Sequence, residues 1–139
     1  MSEISYRKYI GLPFKSGGRD FFGVDCYGLI VLIYEKEKGL HLWDTSDYDM
    51  SDYVKKDYML SNYHRNWVPI DVDKVQELDV LLFVTDPDLP NIPTHVSLYM
   101  GENRMIHCME DVATYTCQFK KGPMDKFFHS AYRHKGMVN

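Results

Sequence analysis

The sequence predicts a single α+β domain, and three observations predict it. One strongly signalled helix lies in the first third, a series of short β-type runs separated by turns fills the second half, and no linker, repeat or low-complexity tract divides them. At 139 residues the chain has the size of one domain, residues 1–139, able to bury its own core. Hydrophobic residues make up 45% and charged residues 26%, the balance of a folded globular chain rather than a disordered one. A formal charge of -4 supplies no basic field for a phosphate backbone, which argues against nucleic acid as a partner. The longest apolar run, Leu29 to Tyr34, is far shorter than the ~20 residues of a membrane-spanning helix. The opening residues Met1 to Lys8 lack the basic start, apolar stretch and cleavage site of a secretory signal. The expectation is therefore synthesis in the cytoplasm, with any export by a route that needs no signal peptide.

The elements follow in order. Residues 1–24 carry Gly11, Pro13, Gly17, Gly18 and Gly23, so a short helix near residues 2–10 gives way to a structured loop that turns repeatedly. Asp25 is an N-cap residue type. Apolar side chains at 29, 30, 32 and 33 then give a helix over Cys26–Lys38, with Gly39 in the position that ends it. In residues 43–66, Tyr48, Tyr53, Tyr58 and Tyr63 recur every five residues, a period that suits neither helix nor strand. This segment reads either as one or two helices packed on the main helix or as an aromatic wall of a substrate cleft. Strands are expected at Val80–Val84, Val96–Met100, Met105–Met109, Ala113–Phe119 and Ala131–Arg133. Between the first two, a proline-rich loop over residues 86–93 leads directly into Thr94 and His95.

Cys26 stands out chemically. A cysteine reacts as its thiolate, and a helix start offers the positive dipole end and free N–H groups that lower a thiol pKa from about 8.5 and receive an oxyanion. The competing reading is a small core residue. A nucleophile needs a base, and the base needs a partner that orients it. Four of the six histidines, His41, His64, His129 and His134, fall in polar or terminal stretches and read as solvated surface residues. His95 and His107 instead belong to adjacent strands of one predicted hairpin.

Side chains alternate along a strand, so hairpin register tests that pair. If Gly101, Glu102 and Asn103 form a three-residue loop, Met100 pairs with Arg104 and His107 lies opposite Ser97. His95 and His107 are then diagonal neighbours on one face, roughly 7–8 Å apart, while a two- or four-residue loop would separate them. Val96, Leu98, Met100, Ile106 and Cys108 face the other layer. Cys26 would attack a carbonyl, His95 would take and return the proton, and His107 would fix the tautomer of His95.

The three cysteines cannot all pair, which leaves Cys108 and Cys117 either bridged or as two half-buried thiols. Metal binding is the competing use of cysteine and histidine. The spacing of Cys26, His95, His107 and Cys108 suits a single zinc poorly, because residues 107 and 108 point to opposite faces of a strand.

These residues carry a resemblance. Gly11-Leu12-Pro13-Phe14-Lys15-Ser16-Gly17-Gly18-Arg19 and then Gly23-Val24-Asp25-Cys26-Tyr27-Gly28-Leu29-Ile30 resemble the opening of NlpC/P60 domains. Leu78-Asp79-Val80-Leu81-Leu82-Phe83 is similar to the family's G-D-hydrophobic strand. Thr94-His95-Val96-Ser97-Leu98-Tyr99-Met100-Gly101 resembles its histidine strand, and Met105-Ile106-His107-Cys108 the strand after it. The resemblance implies a papain-like NlpC/P60 fold, with N-terminal helices, a nucleophile helix packed on a C-terminal antiparallel sheet, and Cys26, His95 and His107 as the triad. It puts Phe14, Asp25, Tyr27 and Ser97 at substrate-binding positions. It further implies hydrolysis of peptidoglycan stem peptides, commonly beside a D-glutamate γ-linkage, with no cofactor and no metal. Two departures mark the chain: Phe14 stands where the family usually has tyrosine, and Tyr27 where it usually has serine after the cysteine. Tyr27 together with Gly17-Gly18-Arg19-Asp20 is more similar to NlpC/P60 proteins of phage tails, which implies phage tail proteins as partners and the virion tail as the location. An amidase or acyltransferase acting on non-wall substrates, and an inactive structural tail protein of the same fold, are the alternatives.

Overall fold

The structure is a computed structural model that describes residues 3–42 and 67–137. The tyrosine-rich segment 43–66 lies outside the described residues. Its one long helix, α1 (Cys26–Lys38), begins where expected, because the Asp25 side chain accepts a hydrogen bond from the Gly28 amide at 2.7 Å. It ends at Gly39, whose left-handed φ of 61° lets its amide reach the Glu35 carbonyl at 3.0 Å. Every residue of α1 from Cys26 to Tyr34 is buried, so the helix threads the core and shows no broad wet face until Glu35.

Before α1, the two-residue strands β1 (Arg19–Asp20) and β2 (Gly23–Val24) form a small antiparallel hairpin. After it come β3 (Trp67–Ile70), β4 (Val80–Phe83), β5 (His95–Gly101), β6 (Arg104–Met109), β7 (Val112–Gln118) and β8 (Phe128–His134). These six form one antiparallel sheet in the order β3-β8-β4-β5-β6-β7. The α+β expectation holds, with α1 packed on β5 and β6.

Alternation along the strands divides the core in two. Val80, Leu82, Val96, Leu98, Ile106 and Cys108 face α1, and Met100 packs at their margin, which is the layer-facing set expected from the sequence. Leu81, Phe83, Met105 and Ala131 face the other way, where Phe119, Met124 and Phe128 cover them. Both faces of the sheet centre are therefore buried, and polar groups on either face must find partners inside the protein.

The structure differs from the sequence expectation in three places. The short helix near residues 2–10 is only a single 3-10 turn, Arg7–Tyr9. Gly11 takes a φ of 87° and donates its amide to the Thr114 carbonyl at 2.8 Å, while Thr114 donates back to Leu12 at 2.9 Å. Backbone pairing with β7 outcompetes local helix propensity there. Second, β3 was hidden by Pro69, which removes a ladder donor; the strand is tolerated because it lies at the sheet edge. Third, the β5–β6 turn has two residues, Glu102 and Asn103, both at positive φ, and closes on a Gly101–Arg104 pair. An irregularity between Tyr99 and Gly101 adds the residue that the shorter loop lacks. Leu98 consequently pairs with Ile106 and Tyr99 with Met105, the register that a three-residue loop would have set.

Candidate active site

The loop ahead of α1 is held by a single buried carboxylate. Asp25 accepts from the Gly28 amide through Oδ1, from the Gly17 amide through Oδ2 at 2.9 Å, and from Arg19 Nη1 through Oδ1 at 2.8 Å. Arg19 Nη1 also donates to the Gly18 carbonyl at 2.8 Å, so one guanidinium joins the loop to the helix cap. The glycines in the motif follow from close packing. A Cβ on Gly28 would sit 1.9 Å from the Gly18 carbonyl oxygen, and one on Gly18 would sit 2.3 Å from the Gly23 carbonyl oxygen. The sequence motifs contain Arg19 but assign it no role in holding the loop; its signal was its place after the Gly17-Gly18 pair.

Cys26 occupies the first residue of α1 and is only 1% exposed. The amides of Val96 and Tyr27 favour its thiolate, yet burial, reinforced by the neighbouring Asp25 charge, pushes the thiol up to about 12. This reverses the expectation that the helix start would lower it. Desolvation outweighs the dipole because the side chain is enclosed in the core beneath α1 instead of open to water. Contact with the Val96 amide puts the thiol one residue along from His95.

His95 opens β5 and His107 lies on β6, on the same sheet face, with Nε2 of His95 2.8 Å from Nδ1 of His107. Burial holds the two imidazoles down to about 3 and about 4, with the His107 ring adding to the effect on His95. Both are neutral at pH 7. That bond uses Nε2 of His95 and leaves Nδ1 as the nitrogen available to a thiol. A neutral imidazole within reach of a neutral thiol can take its proton as sulfur attacks a carbonyl carbon, without a standing ion pair.

His95 also lines a cavity of about 150 Å³ with Phe14, Thr85, Thr94, Cys108, Met109 and Glu110. Thr85 and Thr94 hydrogen-bond to each other at 2.9 Å and close the base of the proline-rich loop between them. They flank that loop in sequence, which was the available signal for them. Met109 ends β6 and Glu110 begins the turn into β7, and neither had one.

Of the four positions expected to bind substrate, only Phe14 lines this cavity. Asp25 is fully buried and engaged as the helix cap. Tyr27 is buried under Arg19, whose Cζ lies 5.7 Å from its ring centroid. Ser97 is buried and donates to Met105 Sδ at 3.2 Å. These three support the site from behind. Cys26, Cys108 and Cys117 are all free thiols. Cys108 faces α1 and Cys117 packs against the opposite layer, so the sheet stands between the two candidates for a bridge. Among the described residues no group of three or more His, Cys, Asp or Glu side chains could hold a metal ion.

Fold and site together define a class: an α+β domain with a cysteine at the start of its helix and a hydrogen-bonded histidine pair on the antiparallel sheet on which that helix packs. The NlpC/P60 family profile matches residues 11–133, and the chain belongs to that family. A curated relative from Bacillus cereus, a gamma-D-glutamyl-L-lysine dipeptidyl-peptidase, is 29% identical over 101 residues, which are 73% of this chain and 26% of the relative. The chain thus spans about a quarter of that relative's length. The crystal structure of an NlpC/P60 family protein from Bacillus cereus has a TM-score of 0.67 at 23% identity, over 91% of this chain and 36% of that one. The NlpC/p60 domain of the peptidoglycan hydrolase SagA matches over 91% of both chains, with a TM-score of 0.60 and 21% identity.

Proposed function

We propose that the protein is a cysteine peptidase that hydrolyses amide bonds in peptidoglycan stem peptides, beside a D-glutamate γ-linkage. The observation that carries this reading is the 2.8 Å His95–His107 hydrogen bond on the strand whose Val96 amide meets the Cys26 sulfur. Membership of the NlpC/P60 family and likeness to a gamma-D-glutamyl-L-lysine dipeptidyl-peptidase support the substrate class.

In this mechanism Nδ1 of His95 takes the Cys26 proton as sulfur attacks the amide carbonyl. The imidazolium so formed donates Nε2–H to His107, which holds the ring in place. The Cys26 amide at the start of α1 receives the oxyanion. His95 returns the proton to the leaving amine, and a water deprotonated by the same nitrogen then releases the acyl group from sulfur. The starting state is neutral, so substrate must displace water and open the route to the sulfur before attack.

The test is digestion of purified wall fragments by the protein and by Cys26→Ala, with products identified by mass. Cleavage next to D-glutamate by the parent alone supports the proposal; equal products from both proteins overturn it. We further propose a phage or prophage tail as the setting, on the resemblance carried by Tyr27 and Gly17-Gly18-Arg19-Asp20. Mass spectrometry of purified tail particles tests that, and absence of the protein from them would refute it.

A further inference from the structure

His107 has a second ring nitrogen, and its partner is another cysteine. Cys117 Sγ, on β7, lies 3.7 Å from His107 Nε2. The Tyr115 ring packs against the imidazole with centroids 4.5 Å apart, which limits its rotation. His95, His107 and Cys117 thus form one continuous chain, from Nε2 to Nδ1 at 2.8 Å and from Nε2 to Sγ. We infer that Cys117 is a positioning residue that accepts the Nε2–H of His107 and so selects the tautomer in which His95 can act as a base. The inference rests on the peptidase reading for its role in turnover, though not for its proton arrangement.

Two proton orders satisfy the chain. In the first, His95 carries its proton on Nε2 and donates to His107 Nδ1, and His107 donates from Nε2 to the Cys117 sulfur. Nδ1 of His95 is then unprotonated and can receive the Cys26 proton. In the second, the Cys117 S–H donates to His107, His107 donates from Nδ1 to His95, and Nδ1 of His95 already carries a proton, so it cannot serve as a base. An S–H is a weak donor, so the second order gains little from Cys117, whereas the first lets the stronger N–H donor of His107 meet a polarisable sulfur. Turnover distinguishes them. Once His95 is an imidazolium, both its nitrogens carry protons, and His107 Nδ1 must accept. His107 must then hold its own proton on Nε2, where a polarisable sulfur is the group in place to receive it. The second order would instead set two N–H groups against each other at 2.8 Å.

Nitrogen-15 spectra of the histidine rings report the tautomer directly and need no substrate. The parent protein should show His107 protonated on Nε2. Cys117→Val keeps the volume and a strand-forming side chain but removes the acceptor. It should shift His107 towards the Nδ1–H form and lower kcat by about three- to tenfold with KM changed by less than about twofold, the size expected for one modest hydrogen bond. Cys117→Ser restores an acceptor and should recover the Nε2–H signal and most of kcat. A parent spectrum with His107 protonated on Nδ1 would overturn the inference, even if Cys117→Val fails to fold. So would a folded Cys117→Val with parental tautomer and kcat. Wall cleavage that survives Cys26→Ala would sink the peptidase reading alone, because the ring spectra still decide the proton order.

Discussion

Mild acid should destabilise this protein through two buried histidines. Unfolded, each imidazole titrates near 6.5; folded, His95 is held down to about 3 and His107 to about 4. Between those limits the unfolded chain binds more protons than the folded one, so stability falls as pH falls. The contribution is intact above the unfolded pKa of about 6.5, declines below it, and stops declining only below about 3 to 4. At pH 5 each group removes about 2 kcal/mol, so the pair removes about 4 kcal/mol, a large share of an ordinary domain's 5–15 kcal/mol. Carboxylates with ordinary pKa values near 4 stay mostly ionised over this interval. Half-buried His134, also held down by burial, adds to the same slope. Urea unfolding at pH 7 and pH 5, in reducing buffer, reads the effect. With a slope near 2 kcal/mol/M, the midpoint should drop by about 2 M. His107→Gln keeps a polar partner for His95 but removes one titrating ring, and it should lose about half as much. An unchanged midpoint in the parent protein would refute the claim that these imidazoles are buried and neutral.

Other outcomes follow from the loop ahead of the helix. Gly28→Ala forces a Cβ to within 1.9 Å of the Gly18 carbonyl oxygen, backbone against side chain with no flexible group to yield. Thermal melting should show a loss of at least about 3 kcal/mol, well above the usual gain from placing alanine in a helix. Asp25→Ala leaves Arg19 and two amides without their acceptor, and should cost about 3–5 kcal/mol in denaturant unfolding. Parental stability in that variant would show that the carboxylate does not hold the loop. Iodoacetamide at pH 8, followed by peptide mapping, should label half-exposed Cys117 before Cys26, whose thiol is 1% exposed and pushed up to about 12. Rapid labelling of Cys26 in the resting protein would contradict the neutral, covered thiol.

By itself the sequence determined the local features, because local chemistry encodes them. Asp25 and Gly39 bound α1 through their own cap geometry, and alternation of apolar residues assigned Val96, Leu98, Ile106 and Cys108 to the layer beneath the helix. It also brought His95 and His107 to one face, although through a loop of the wrong length. The two-residue turn and the irregularity at Met100 compensate each other in parity, and no local pattern in Tyr99-Met100-Gly101 separates that pair of features from a three-residue loop. What sequence could not supply was the environment. Whether the start of α1 lowers or raises the Cys26 pKa depends on how fully packing excludes water from it, and burial won over the dipole. Asp25, Tyr27 and Ser97 could be placed near the site but not faced, since their direction depends on Arg19 and Met105 from other segments. Cys117 is the sharpest case: 10 residues from His107 in sequence, it meets that ring only because β6 and β7 pair in this register. Periodicity fixes which way a side chain points, while only the packed tertiary structure decides what stands opposite it and how much water remains.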